Sequence, residues 1–362
     1  MTINFSEAYR NPEIAQHLAH RIKAASTRPI RLMEVCGTHT MAIFRHGIRF
    51  LLPETISLLS GPGCPVCVTA QADIDAFVAL ARRDDVAIAT FGDLMRVPGS
   101  GSSLQKESAA GADVRVVYSP MDAVTLARET PQKKVVFLGV GFETTAPTIG
   151  AAVMMAQQFE LDNFFVYSAH KTVPRALVAL MANPDVRIDG FILPGHVSVI
   201  IGTEAYRPFF DAHKLPCVVT GFEPVDILQS ILRLAEMLAQ GTPALENGYG
   251  RAVSGEGNIQ AQQVMAQVFE PCDAPWRGLG VIPGSGLAFR AAFAAFDAVV
   301  HFDLQLTETP EPKGCACGDI LSGTCVPPQC ALFRKVCTPM NPVGPCMVSS
   351  EGTCAAYYRY AT

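Results

Sequence analysis

The sequence predicts an α/β protein: two similar Rossmann-like domains with parallel sheets, facing across a cleft, followed by a Cys-rich iron–sulfur domain. Three observations predict it. Strand-like and helix-like runs alternate along most of the chain, the first four strands match the next four at a near-constant offset, and seven of the twelve cysteines fall between residues 315 and 354.

The strand-like runs are "IRLMEVCG", "TISLLSGPG", "VAIATFGD", "VRVVYSP", "KVVFLGVGF", "FFVYSAH", "IDGFILPGH" and "LPCVVTGF". Each ends near Gly, Pro, Ser or His, and helical patterns such as "IDAFVALARR" and "PRALVALMA" follow several of them. Such alternation indicates parallel sheets wrapped by helices. An offset of 104 places Gly37 on Gly141, Thr40 on Thr144, Pro120 on Pro224 and Asp122 on Asp226, and an offset of 103 places Gly92 on Gly195 and Gly99 on Gly202. Self-similarity at one period implies two related α/β units, 31–130 and 131–228. Residues 1–30 read as an amphipathic helix packing with the C-terminal part, and 229–362 as a helical and Cys-rich domain.

A chain of 362 residues is too long for one ordinary core. Its net charge of −5 and lack of a basic cluster argue against nucleic acid or an anionic membrane as partner. The N-terminus lacks the apolar stretch of a signal peptide, and no apolar run is long enough to span a bilayer. These features predict a cytoplasmic protein. In that compartment cysteines serve metal binding or redox chemistry more often than structural disulfides.

Ligands of open parallel sheets bind beyond the C-terminal ends of the strands, and the reactive side chains collect there. Cys36, His39, Cys64, Cys67 and Asp93 follow strands of the first unit; Glu143, His170, Lys171 and His196 follow strands of the second. In "CGTHT", a helix starting after Cys36 would lower the thiol pKa and favour thiolate, a nucleophile and soft-metal ligand. A small buried Cys with a satisfied His is the bland alternative. The C-x2-C of "GPGCPVC" suits a redox dithiol, then half a zinc site, then inert structure. "GFETTAP", "SAHKTVPRAL" and "PGHVSVIIG" are polar for strand ends, although each is also ordinary cap and turn chemistry. No orthodox nucleotide-binding glycine motif appears.

The tail holds Cys315, Cys317, Cys325, Cys330, Cys337, Cys346 and Cys354. Four thiolates hold an iron–sulfur cluster, and the repeated C-x2-C spacing of zinc modules is absent, so a cluster is favoured over zinc. The spacing alone does not say which four bind.

"MEVCGTHT", "GPGCPVC", "GFETTAP", "YSAHKTVP", "LPGHVSVIIG" and "CTPMNPVGPCMVSSEGTC" together resemble the [NiFe]-hydrogenase maturation factor family HypD, from about residue 31 to the C-terminus. The resemblance implies two similar α/β domains facing across a cleft and a third domain carrying a [4Fe-4S] cluster. It implies a scaffold on which the Fe(CN)2CO group is assembled with a HypC-type chaperone, with cyanide arriving from a HypE-type donor. Carried over residue by residue, Cys36 would share the iron with the chaperone, with His39, His196, Glu143 and His170 around it. Cys64 and Cys67 would be the neighbouring redox dithiol. Cys315, Cys330, Cys337 and Cys354 would ligate the cluster, and Cys317 and Cys346 would form the redox disulfide beside it. Cys325 falls outside the pattern, and Cys217 and Cys272 read as structural. The free protein is expected to be a monomer, with any redox or ATPase activity belonging to its complexes. The rival readings are a stand-alone iron–sulfur thiol–disulfide oxidoreductase and a zinc-bearing adaptor.

Overall fold

The structure is a computed structural model that describes residues 9–306 and 309–361; the first eight residues of the expected N-terminal helical region lie outside it. Asn11 starts α1 (Pro12–Ala25) by accepting the backbone N–H groups of Glu13 and Ile14, a standard N-cap. Its inward residues Ala15, Leu18 and Ile22 recur at helical spacing and are buried. Beyond it, strands and helices alternate: β1 (Ile30–Glu34), α2 (Gly37–Arg45), β2 (Ile56–Ser60), α3 (Gln71–Ala81), β3 (Val86–Thr90), β4 (Val114–Val116) and α4 (Pro120–Glu129). The pattern continues with β5 (Lys134–Gly139), α5 (Ala146–Gln158), β6 (Phe164–Ser168), α6 (Val173–Ala182), β7 (Gly190–Pro194), α7 (Gly195–Ile201), β8 (Cys217–Thr220), α8 (Pro224–Gln240) and β9 (Leu245–Asn247). The chain then forms α9 (Ile259–Val268), the hairpin β10 (Phe269–Trp276) and β11 (Gly280–Phe289), and, in the tail, α10 (Thr353–Tyr360).

Two parallel sheets result, as the alternation predicts. Their strand orders are β2-β1-β7-β8-β9 and β4-β3-β5-β6. The contiguous units 31–130 and 131–228 need correction, because neither is a sheet of its own. β1 pairs with β7 through Leu32–Gly190 and Glu34–Ile192, and β3 pairs with β5 through Val86–Lys134 and Ala89–Phe137. Each unit therefore supplies half of each sheet. The repeat itself maps onto this arrangement: the order 2-1-7-8 becomes 6-5-3-4 when each strand is exchanged for its repeat partner, which is the second sheet read from its other edge. Matched details survive. Asp122 accepts the backbone N–H of Ser119 at the start of α4, and Asp226 accepts that of Glu223 at the start of α8. The pattern of elements reveals the repeat, but strand partnership across some 150 residues is a tertiary choice that periodicity does not encode.

The expected domain 229–362 is likewise redistributed. α8 and α1 cover the outer face of the first sheet, where Ile22, Leu32, Ile192, Ile231 and Leu234 share one buried cluster. β9 extends that sheet. The hairpin covers the outer face of the second sheet, with Phe269, Leu287 and Phe289 against Phe137 and Phe164. Between the sheets Met33, Val35, Phe191 and Leu193 meet Val136, Leu138 and Phe165, and the tail thiols Cys317, Cys330, Cys337, Cys346 and Cys354 join this same central cluster. The Cys-rich segment is thus packed into the body. Among the described residues no helix is long and apolar enough to cross a membrane.

Ile22 is fully buried between α1, α8 and the sheet. Ile22→Ala leaves a cavity there and is expected to lower stability by about 2–5 kcal/mol in urea unfolding; an unchanged midpoint would mean that α1 contributes nothing to the fold.

Candidate functional site

Strand order changes direction between β1 and β7, and a second reversal lies between β3 and β5; such switch points open crevices at the C-terminal strand ends. Cys36 follows β1 and His196 follows β7, so both fall at the first crevice. Phe222 joins them: its ring stacks on His196 with centroids 3.8 Å apart and on His39 at 4.6 Å. His39 Nε2 faces the carbonyls of Gly221 at 2.9 Å and Thr220 at 3.2 Å. Because both partners are acceptors, Nε2 carries the proton, which leaves Nδ1 with a bare lone pair, buried and unpartnered. Burial pushes the His39 pKa down to about 4 and lowers that of His196 too, so both rings stay neutral near pH 7.

Cys36 is the N-cap residue of α2, as expected, but the expected consequence is corrected. Burial, reinforced by the Glu351 carboxylate, raises its thiol to about 12. The N–H groups of His39 and Thr38 favour thiolate and are outweighed. Desolvation, which a sequence does not display, is the larger effect. Beneath Cys36 lies Glu34, fully buried and raised to about 8 by desolvation; it accepts the Cys36 N–H at 3.2 Å and the Thr40 hydroxyl.

Two glycines set how tightly the surrounding loops close. A Cβ on Gly63 would overlap the Cys36 backbone, and one on Gly37 would meet the carbonyl of Glu351. Gly63 accepts the Gly37 N–H at 3.0 Å, while Thr38 donates to Glu351 at 2.5 Å. The "GPGCPVC" loop and the tail are thereby both pressed onto the end of β1, filling the space where an open cleft was expected.

This packing lines up the thiols. Cys64 is the N-cap of the turn Pro65–Val68, with its sulfur 2.6 Å from that of Cys67. Cys67 faces Cys346, Cys346 lies 3.0 Å from Cys317, and the Cys315 thiol neighbours Cys317. Cys315, Cys317, Cys330, Cys337, Cys346 and Cys354 together line one small, mostly enclosed cavity, walled by Ile320, Leu332, Phe333 and Met347. Even the absence of a side chain at Gly344 is needed, since its Cβ would sit 2.9 Å from Cys315 Sγ. Among the described residues no three His, Cys, Asp or Glu side chains converge on a single ion. Six thiols around one apolar cavity are enough to supply the four of a cluster in which each iron takes its own thiolate. The residues present fit a [4Fe-4S] group.

Cys325 faces a different, surface cavity with Arg31, Arg49 and Tyr357. Cys217 is buried in β8 and Cys272 sits half-buried in β10. All twelve cysteines are unpaired.

The structure does not bring every candidate to the thiols. His170 packs on Phe269, centroids 5.5 Å apart, with Nδ1 2.9 Å from Ser168 Oγ. Burial lowers its pKa to about 3. Lys171 is buried 3.9 Å from Asp73, which also accepts the Tyr167 hydroxyl at 2.9 Å. Glu143, the repeat partner of His39, accepts the Val173 N–H at 3.0 Å and has its other oxygen buried without a partner. Conversely Phe222, Ser349, Glu351 and Arg277 carry the site without having stood out in the sequence. Arg277 is fully buried and donates to Thr69 O and Gln71 Oε1 just past the dithiol turn.

The family model HypD, described as the hydrogenase formation hypA family, matches residues 13–361. This chain belongs to the HypD family. Hydrogenase maturation factor HypD of Rhodobacter capsulatus is 45% identical over 370 residues, covering 99% of this chain and 98% of that protein. The HypD of Escherichia coli K12 is 45% identical over 368 residues, with 99% and 98% covered, and that of Azotobacter vinelandii 46% over 367, with 99% and 97% covered. The HypD likeness thus spans both sheets and the thiol-rich tail.

Burial raises the Glu143 carboxyl to about 7 from an ordinary 4.5. Between those values the folded HypD chain holds a proton that the unfolded chain has released, so Glu143 makes stability fall as pH rises through the window. Glu143→Gln is expected to flatten that slope, by at most about 1.4 kcal/mol per pH unit, in denaturant titrations from pH 4.5 to 7. An unaltered slope would mean that Glu143 ionises freely.

Proposed function

We propose that the protein is a hydrogenase maturation scaffold. It holds the iron of the Fe(CN)2CO group during assembly with a HypC-type chaperone, receives cyanide from a HypE-type donor, and supplies reducing equivalents through its thiol pairs. The observation that carries this reading is the run of neighbouring thiols from the loop under Cys36, through Cys64–Cys67 and Cys346–Cys317, to the thiol-lined cavity of the tail. A family of hydrogenase maturation factors supports it.

The iron is cargo here. Cys36 offers one soft donor that suits low-spin iron with strong-field ligands. Since burial keeps this thiol protonated, iron must displace the proton, so loading releases one proton and depends on pH. Neutral His39 and His196 flank the position, with the Phe222 ring stacked between them. When bound by Cys315, Cys330, Cys337 and Cys354, a [4Fe-4S] cluster supplies electrons one at a time. The Cys317–Cys346 and Cys64–Cys67 pairs, in contact through Cys67 and Cys346, pass reducing equivalents by thiol–disulfide exchange. Unpaired cysteines throughout suit the cytoplasm, where we place the protein, as a monomer when free.

A stand-alone oxidoreductase would use the same thiols but would have no use for Cys36. The full-length protein, purified anaerobically with its chaperone partner, separates the two. Cys36→Ala is expected to keep roughly four irons and four sulfides, the content of a cubane cluster, and to lose one further iron together with its cyanide infrared bands. Retention of that iron and those bands would overturn the scaffold role of Cys36. Absence of any such iron from the wild type would favour the oxidoreductase.

A further inference from the structure

Cys64 and Cys67 are 4% and 0% exposed, yet every opening or closing of a disulfide between them moves protons. Burial leaves no water to carry them. One side chain touches Cys64 from the tail: Ser349, 2% exposed, whose Oγ lies 3.3 Å from Cys64 Sγ and accepts its S–H. The same oxygen accepts the Glu351 N–H at 3.2 Å. With both lone pairs taken, the hydroxyl proton has one remaining direction, Asp93 Oδ2 at 3.3 Å. Asp93 is aimed by two more donors, Ser350 N at 3.2 Å and Ser350 Oγ at 3.0 Å. It stands just past the end of β3, half-exposed, beside exposed Gly92.

We infer that Asp93 and Ser349 form a proton path for the buried dithiol, carrying the Cys64 proton through the Ser349 hydroxyl to a carboxylate at the surface. The inference rests on the redox reading of Cys64 and Cys67 given above. The path serves the resolving step of exchange. In a mixed disulfide between Cys67 and Cys346, Cys64 sulfur attacks Cys67 sulfur; the Cys64–Cys67 bond forms, the Cys67–Cys346 bond breaks, and Cys346 leaves as a thiolate that the Cys317 thiol, 3.0 Å away, can hydrogen-bond. The Cys64 proton passes to Ser349 while the Ser349 proton passes to Asp93. Charge developing on Cys64 sulfur faces the Cys67 N–H at 3.3 Å. Over the full exchange two electrons and two protons leave the Cys64/Cys67 pair; the Cys317–Cys346 disulfide gains both electrons and the Cys67 proton, and the Cys64 proton rests on Asp93. In reverse, Asp93 returns the proton to departing Cys64.

Asp93 is a positioned acid–base group acting through Ser349, so the test separates rate from equilibrium. Reduced full-length protein is mixed with glutathione disulfide, quenched in acid and alkylated, and the Cys64–Cys67 and Cys317–Cys346 bonds are quantified over time by peptide mass spectrometry. Equilibrium titration with the same couple gives the potential of the Cys64–Cys67 pair. Ser349→Ala and Asp93→Asn are each expected to slow Cys64–Cys67 closure about 100-fold, the scale of general acid–base catalysis, without moving the potential. Both should also abolish the solvent deuterium isotope effect on closure, and Asp93→Glu should restore rate and isotope effect. Unchanged rates in both variants would overturn the path. So would rate and potential shifting together without rescue by Asp93→Glu, the mark of a packing role. If the wild type never forms the Cys64–Cys67 bond while the tail pair oxidises, the redox reading itself fails, and the path with it.

Discussion

Glu351 lies so close to Gly37, and the Cys36 backbone so close to Gly63, that neither glycine has room for a side chain. These two contacts press the tail and the dithiol loop against the same strand end. The alignment of the other sulfurs follows: a loop held on Cys36 places Cys67 against Cys346, and a tail held on Gly37 places Ser349 against Cys64. The tail cysteines on a freely hinged module could line their cavity just as well. They could not keep Cys346 within bonding distance of a thiol nearly 280 residues away in sequence.

The second organising fact is the exchange of half-sheets between the repeats. Because β1 and β7 come from different repeats, the first crevice combines Cys36 from one with His196 from the other. The related crevice at β3 and β5 combines Asp93 with Glu143. Duplication has thus produced two similar crevices with different chemistry. In one, thiol and imidazoles stand around an aromatic ring. In the other, Val140 occupies the position of Cys36 and a buried carboxylate that of His39. Only one crevice can offer a soft ligand, while the other faces the dithiol through Asp93.

Much of this was legible beforehand, for identifiable reasons. Parallel strands buried on both faces, such as Val86–Thr90 and Gly190–Pro194, read as continuous apolar runs, and their polar ends point to the crevices. The repeat shows through because the capping aspartates Asp122 and Asp226 keep the same local job in both copies. Strand partnership was illegible, since β1 suits β5 as a neighbour by pattern as well as it suits β7. The protonation of Cys36 is not legible in the sequence, because a helix start is visible there and burial is not. Phe222 and Ser349 escaped notice because an aromatic after a strand and a serine in a turn are ordinary; only their neighbours make them consequential.

The interleaving of the two repeats also constrains how the chain reaches its native state. When residues 31–130 have left the ribosome, β1 and β3 each have one flank unpaired, and the partners that complete them, β7 and β5, lie about 160 and 50 residues downstream. The first half cannot close either sheet alone, and both strands remain open edges of the kind that invite misassociation. Contacts this far apart make for slow, late-committing assembly. The thiol array, which needs both completed sheets and the tail, is then among the last parts to form.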